Sequence, residues 1–466
     1  MRYSPKYFKD NIADALANTQ LRKNLTKALN HSLAVREEVK NEYGTQWEIL
    51  REKAHTIKAN TINHLFDYLR LFEKKAEENG FKIIWAKNSE EACKEIHRII
   101  SEKKGKTVVK SKSMTTEEIG LNHYLEKLDI EVIETDLGEY IVQLAGEPPS
   151  HVTAPAIHKS KEEIGKLFSE KLNIDYTADP TQLTKIARKI LREKFLNADI
   201  GISGVNFAIA ETGSIVIIEN EGNGRLSNSA PKTHIALMGL EKIIPSLEDF
   251  DVFIKLLPAS ATGQKITSYI SMINSVNDER HIPQEVYIII LDNGRSNLLA
   301  DPKNRPLLYC VRCGACMNIC PIYQRIGGQS YGWVYPGPIG SILTANYLNM
   351  QTAKDLPFAS SLCGSCSEIC PVKIDLLHKL LDLRSEIVEL GYVSKIEKLI
   401  MKFFEITVLN KNIYSFLSRI GRTFQDLILK DGFIKIPFHE KSKLYPPVSK
   451  VTFHEWYKNN EANKNE

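Results

Sequence analysis

Seven cysteines fall within 61 residues of this chain, and their spacing constrains the fold more than any other feature. In "LYCVRCGACMNICPIY" they stand at Cys310, Cys313, Cys316 and Cys320, with proline after the last. In "SSLCGSCSEICPV" they stand at Cys363, Cys366 and Cys370, again followed by proline. The first run reads C-x2-C-x2-C-x3-C-P, a spacing that wraps three thiolates around one iron–sulfur cube and sends the fourth to another. Proline after that fourth cysteine lacks an amide donor and favours an extended residue before it, which takes the chain out of the loop. Crossing the two segments yields a complete first set, Cys310, Cys313, Cys316 and Cys370. A second set keeps three thiols, Cys320, Cys363 and Cys366. Counted back by the motif's own rhythm, the missing first cysteine of the second run falls at Ser360. The second site is thus expected to hold a [3Fe–4S] cluster, or a [4Fe–4S] cluster whose fourth iron takes a ligand such as Ser360, Ser361 or His378. Helix capping is the plainer role for the serines, and a solvated helix face for His378.

Other uses of the thiols explain less. Zinc held by Cys310, Cys313, Cys363 and Cys366 would leave Cys316, Cys320 and Cys370 without a purpose. A secreted disulfide framework spreads its cysteines along a smaller chain. The eighth cysteine, Cys93 in "EEACKEIHRII", reads as a small core hydrophobe. Two cubes without an organic cofactor motif point to electron conduction rather than catalysis.

The rest of the chain supplies the setting. Its 466 residues suffice for two or three domains. Lys and Arg number 61 against 57 Asp and Glu, too near balance to argue for nucleic acid or an anionic membrane. The opening "MRYSPKYFKDNIADALANTQ" lacks the apolar core of a signal peptide, and no run of 18 apolar residues could span a bilayer. A soluble, cytoplasmic protein is expected.

The fold class is α/β and α. Residues 1–79 read as a helical lead-in of two or three helices, ending at "LRLFEKKAEENG". Residues 80–299 read as an α/β domain. There "FKIIWA", "KTVVKSK" and "IEVIET" alternate with helical stretches that start at Ser or Thr with Glu soon after, the pattern of βα units on a parallel sheet. "TQLTKIARKILREKFLNAD" is a capped amphipathic helix, "IGISGVNFAIAETGSIVIIENEG" suggests an antiparallel pair joined at "ETGS", and "QEVYIIILDNG" a last buried strand. Residues 300–395 carry the cysteines between helices, an α-helical ferredoxin module with Ile374, Leu377, Leu381 and Ile387 approximately on one helix face. Tyr331, Trp333 and Tyr335 could shield a cluster or simply build a loop. Residues 396–466 form a helical extension that turns proline- and lysine-rich, and "KNNEANKNE" is expected to be disordered.

Taken in order, "YCVRCGACMNICPIYQRIGG", "YGWVYPGPIGSILT" and "LCGSCSEICPVKIDL" resemble the iron–sulfur B component of the bacterial L-lactate utilisation system, over nearly the whole chain. The segment "GVNFAIAETGSIVIIENEGNGRLSNSAPKTHIALMG" resembles a LUD domain, which is similar in fold to the sugar-phosphate isomerase and CoA-transferase superfamily. This resemblance implies a cytoplasmic complex of three proteins oxidising L-lactate to pyruvate. The partners would be a cysteine-rich A component and a LUD-domain C component, with this chain carrying electrons to an acceptor that it does not name. It also implies two [4Fe–4S] clusters on the same seven cysteines. Two other readings stay open: electron transfer for another 2-hydroxy acid or glycerol-phosphate oxidation, and an isomerase- or transferase-like LUD enzyme with structural clusters. Within the LUD-like region, Glu211, Arg225, Lys232 and His234 stand near Gly-containing loops. Arg225, Lys232 and backbone amides could hold a carboxylate or phosphate. "GNGRLS" has Ser227 in place of the third glycine, which argues against a dinucleotide. No nucleophile–base pair can be assigned.

Overall fold

Four helices open the chain: α1 (Phe8–Ala17), α2 (Thr19–Tyr43), α3 (Gln46–Asn63) and α4 (Leu65–Glu78). This is more than the two or three expected, because α3 and α4 are parted only at His64, where neither glycine nor proline announces a break. The computed structural model describes residues 3–276, 283–427, 429, 430, 432–434, 446–449 and 451–462. They divide into two units, Met1–Ile387 and Val388–Glu466. Helix α2 starts at Asn18, whose side chain accepts from the Leu21 amide at 2.9 Å. It then buries Leu21, Leu25 and Leu29, one face of a 3.6-residue repeat.

The α/β region builds ten strands: β1 (Lys82–Ala86), β2 (Thr107–Lys110), β3 (Glu131–Glu134), β4 (Ile200–Gly204), β5 (Phe207–Ile209), β6 (Ser214–Glu219), β7 (Thr233–Gly239), β8 (Ile243–Ile244), β9 (Tyr269–Ile273) and β10 (Glu285–Leu291). Six of them form a parallel sheet in the order β1-β10-β7-β4-β2-β3. Along β7, Ile235 and Leu237 pack into one core while Ala236 and Met238 pack into another, as the two-residue strand period requires. Both faces are covered, which is why these strands read as continuous apolar runs. The expected "ETGS" pair is β5 with β6, antiparallel, in a smaller sheet of order β8-β5-β6-β9. The preceding "IGISG" is β4 and belongs to the larger sheet. The capped helix runs Pro180–Asn197, with Asp179 accepting from the Thr181 amide at 3.0 Å.

One hydrophobic core joins α1–α4, the smaller sheet and the cysteine segment. The helix after the last cysteine is Leu376–Glu389, and it buries Leu376, Leu380, Leu383 and Ile387. The expected face is therefore corrected. Leu377 is half-buried and Leu381 exposed, because the helix begins at Leu376 and its i, i+4 ridge follows from there. In the second unit, helices Lys395–Leu409 and Lys411–Phe424 bury no residue. The expectation of a disordered end is also corrected in part. Helix Phe453–Ala462 includes the start of "KNNEANKNE", and residues 463–466 lie outside the described residues.

Candidate iron–sulfur centre and the cavity beside it

The two cysteine runs repeat each other at an offset of fifty residues. Helix Ala315–Ile319 lies between Cys313 and Cys320, and helix Ser365–Ile369 between Cys363 and Cys370. Each starts after a left-handed glycine, Gly314 at φ 81° and Gly364 at φ 82°. Arg312 and Leu362, just before the matching cysteines, are also left-handed at φ 60° and 56°. That conformation is costly for a branched residue such as Leu362, so the loop geometry is held by its surroundings. The two short helices pack against each other. Ser360 stands in the second run where Cys310 stands in the first.

This packing sorts the thiols into two groups. Cys310, Cys313, Cys316 and Cys370 line one small apolar pocket with Val152, Ile339, Ile374 and Leu376. Cys316 is in electrostatic contact with Cys313, Cys310 and Cys370, whereas Cys366 is in contact with Cys320 and Cys363. Burial pushes the Cys313 thiol up to about 12 and those of Cys370 and Cys366 to about 11. Cys363 is exposed, and its thiol is lowered by the hydroxyl of Ser365. Thiolates in such pockets are stable only with compensating positive charge, which polynuclear iron supplies and an empty pocket does not. Among the described residues, no three Cys, His, Asp or Glu side chains gather around a point that could hold a single metal ion. The donor set fits a cluster-sized group. Backbone amides of Ile374 and Val372 point at the Cys370 sulfur, and those of Ile322 and Tyr323 at the Cys320 sulfur, the kind of contact that tunes cluster potential.

Helices from the opposite end of the chain hold this arrangement. Arg51 on α3 donates to the Cys370 carbonyl at 2.8 and 3.1 Å and to that of Glu368 at 2.7 Å. Arg36 on α2 donates to the Ile369 carbonyl at 3.1 Å. These cations sit on the carbonyl end of helix Ser365–Ile369, where the helix dipole favours them. On the other side His151 is buried, and burial lowers its pKa to about 4, so its ring is neutral. Its Nδ1 accepts from the Thr153 amide and its Nε2 lies 2.8 Å from Asn318 Oδ1 on the first short helix. Tyr335 lines the first pocket, and Tyr323 and Tyr331 are fully buried beside Cys316 and Cys320. Trp333 packs edge-on against Tyr335 with ring centroids 5.4 Å apart.

The other candidate residues fall in different settings. Neither serine caps helix Ser365–Ile369, whose N-cap is Gly364. Ser360 Oγ instead accepts from the Leu362 amide at 3.1 Å, and Ser361 hydrogen-bonds Cys363. His378 is exposed and paired with Asp375. Cys93 is buried with its thiol raised to about 11 by burial, as a core residue should be. Arg225 and Lys232 are exposed, Glu211 accepts from the Leu247 amide, and His234 is buried 2.8 Å from Ser203 Oγ.

A cavity of about 240 Å³ adjoins the first thiol pocket, and none of those four residues lines it. Its walls come from Ser111 and Ser113 after β2, Asp136 after β3, Asn206 after β4 and Lys242 after β7, closed by Arg312 and Cys313. Sequence reading missed Lys242 and Arg312, since lysines and arginines next to strands and cysteines carry no positional signal of their own. Beneath them lies a buried ionic network. Arg295 pairs with Glu118 at 2.9 Å and Glu241 at 2.6 Å, Tyr335 donates to Glu118 at 2.6 Å, and the Arg312 guanidinium sits 4.6 Å above the Tyr335 ring.

Comparison with known proteins places these features together in other chains. Residues 69–291 match the LUD domain, and residues 306–374 match the 4Fe-4S dicluster domain. The chain is 42% identical to "Lactate utilization protein B" of Bacillus cytotoxicus over 98% of both chains. It is 41% identical to "Lactate utilization protein B 2" of Bacillus mycoides and to "Lactate utilization protein B" of Bacillus cereus, again over 98% of each. A solved DUF162 family protein from Deinococcus radiodurans aligns over 98% of its own length and 49% of this chain, at 14% identity and a TM-score of 0.28.

Proposed function

Because the chain belongs to the lactate utilization protein B family, we propose that it is the iron–sulfur electron-carrying subunit of a system oxidising L-lactate to pyruvate. The carrying observation is the grouping of Cys310, Cys313 and Cys316 with Cys370, across more than fifty residues of chain. In this reading Cys310, Cys313, Cys316 and Cys370 hold the first [4Fe–4S] cluster. Cys320, Cys363 and Cys366 hold the second, with Ser360 at the position of the fourth ligand. Such clusters, when bound, take up and release single electrons. The protein's part is to bury the thiolates, aim amides at their sulfurs and offset their charge with Arg36, Arg51 and Arg312. A cysteine-rich A component and a LUD-domain C component are the partners, and the α/β region is related in fold to the isomerase and CoA-transferase superfamily, which its parallel sheet supports. No described helix is long and apolar enough to cross a membrane.

The test is anaerobic purification with iron and sulfide analysis, then EPR before and after adding L-lactate and the partner proteins. About eight irons per chain, with reduced-state signals elicited by L-lactate only when the partners are present, is the expected result. About seven irons with an oxidised-state signal, oxygen damage excluded, would make the second cluster [3Fe–4S]. Clusters that L-lactate and partners never reduce would remove the lactate assignment.

A further inference from the structure

The cavity beside the first thiol pocket is lined by hydrogen-bond donors that no side chain or backbone group of the described residues engages, two of them on cations that share Glu241 as counter-charge. Lys242 has no hydrogen-bond or ion-pair partner among the described residues, although it is held in the cavity wall next to Arg312. Arg312 has a side chain only 10% exposed and a loose contact of 3.5 Å to Glu241 Oε1, whose Oε2 serves Arg295. Its Nη1 is buried without a hydrogen-bond partner. Asn206 gives its Oδ1 to the Ile218 amide at 2.9 Å, and its Nδ2 donors have no partner among the described residues. A buried donor left unmade costs roughly 1–3 kcal/mol, more when charged, and this applies to Arg312 Nη1. With the half-buried Lys242 ammonium and Asn206 amide facing the same cavity, the three donors point to an acceptor-rich anion.

The acids in the same wall do not cancel this. Asp136 accepts from the amides of Gly138 and Glu139 and pairs with Lys112 at 3.2 Å. Glu219 accepts from the amides of Gly224 and Arg225, and Glu221 from that of Leu137. The acids thus have backbone amides or Lys112 as partners, whereas Lys242 and Arg312 Nη1 have no hydrogen-bond partner among the described residues. Val205, Ile217, Leu257 and Pro258 add an apolar part to the same lining. An inorganic oxyanion has no use for that apolar part, whereas a small organic acid does. The location is the crevice outside the carboxyl ends of parallel strands, where open α/β sheets bind ligands.

We infer that this cavity is a binding site for a small organic carboxylate, anchored by Lys242, Arg312 and Asn206 against Cys313; its narrowing to the 2-hydroxy or 2-oxo acid class rests on the lactate reading above. The binding site stands independently of the electron-carrying role. Its consequence for that role rests on the reading above: an anion held against Cys313 perturbs the first cluster and leaves the second alone.

The experiment titrates the anaerobic, cluster-loaded full chain with L-lactate, pyruvate and inorganic phosphate by calorimetry, with EPR of the reduced protein in parallel. Lactate or pyruvate should bind at one site and alter only the first cluster's signal. Lys242→Gln should weaken binding tenfold or more, Asn206→Ala less but measurably, and Arg225→Gln, outside the cavity, not at all. If Lys242→Gln fails to load clusters, Asn206→Ala decides alone. Absence of carboxylate binding, phosphate binding in its place, or carboxylate binding that neither cavity variant weakens would each overturn the proposal. Carboxylate binding that depends on Lys242, in a protein whose clusters L-lactate and partners never reduce, would keep the site and discard the lactate assignment.

Discussion

Arg51 and Glu241 do more for the thiol pockets than their positions in the sequence suggest. Arg51 makes three charged hydrogen bonds to carbonyls around Cys370, each worth roughly 1.5–3 kcal/mol. Arg51→Met should free the Cys370 turn and lower iron content by loss of the first cluster, with the second cluster's EPR signal retained. Glu241 is fully buried, and burial alone would raise its pKa, but Arg295 and Arg312 overcome this and hold it at about 2. A carboxyl depressed from its ordinary 4.5 stabilises the fold above that value, and this contribution is lost as pH falls from about 4.5 toward 2. Urea-unfolding midpoints should therefore fall across that window. Glu241→Gln should flatten this dependence and cost about 3–5 kcal/mol at neutral pH, because Arg295 and Arg312 lose their shared counter-charge.

At the scale of elements, the two cysteine loops behave as a repeated unit whose fourth cysteine faces the other unit's pocket. Cys370 belongs to the second loop by sequence and to the first pocket by space. Cys310→Ser or Cys370→Ser should each remove the first cluster, about half of the iron, and leave much of the second. Loss of the second cluster with the first intact in the Cys370 variant would refute the crossed arrangement. The repeat is legible in the spacing, including its defect at Ser360. The left-handed backbone at Arg312 and Leu362 is not, because neither residue type favours it, and only the packed loop imposes it.

The whole molecule shows why the cysteine segment is not a detachable ferredoxin. All seven thiols lie in the unit Met1–Ile387, and that unit joins α1–α4 to the cysteine helices in one core. The LUD-like region presses on the segment from the other side. Tyr323 donates to the Ser150 carbonyl at 2.6 Å, and a Cβ at Gly328 would meet that same oxygen at 1.8 Å. A chain truncated after Gly391 should therefore load both clusters. A fragment of residues 300–395, which lacks Arg36, Arg51 and His151, should not. Iron per chain and visible absorbance after anaerobic reconstitution check both.

The sequence by itself determined the cluster chemistry, the α/β alternation and the helical lead-in, because thiol spacing, caps and apolar periodicity act over a few residues and leave local marks. Only the tertiary structure decided which cations offset the thiolates and where a small molecule would sit. Arg51, Lys242 and Cys370 are far apart along the chain. Their roles come from which groups the fold brings together and how far it removes them from water, and that is a property of the folded molecule rather than of any stretch of it.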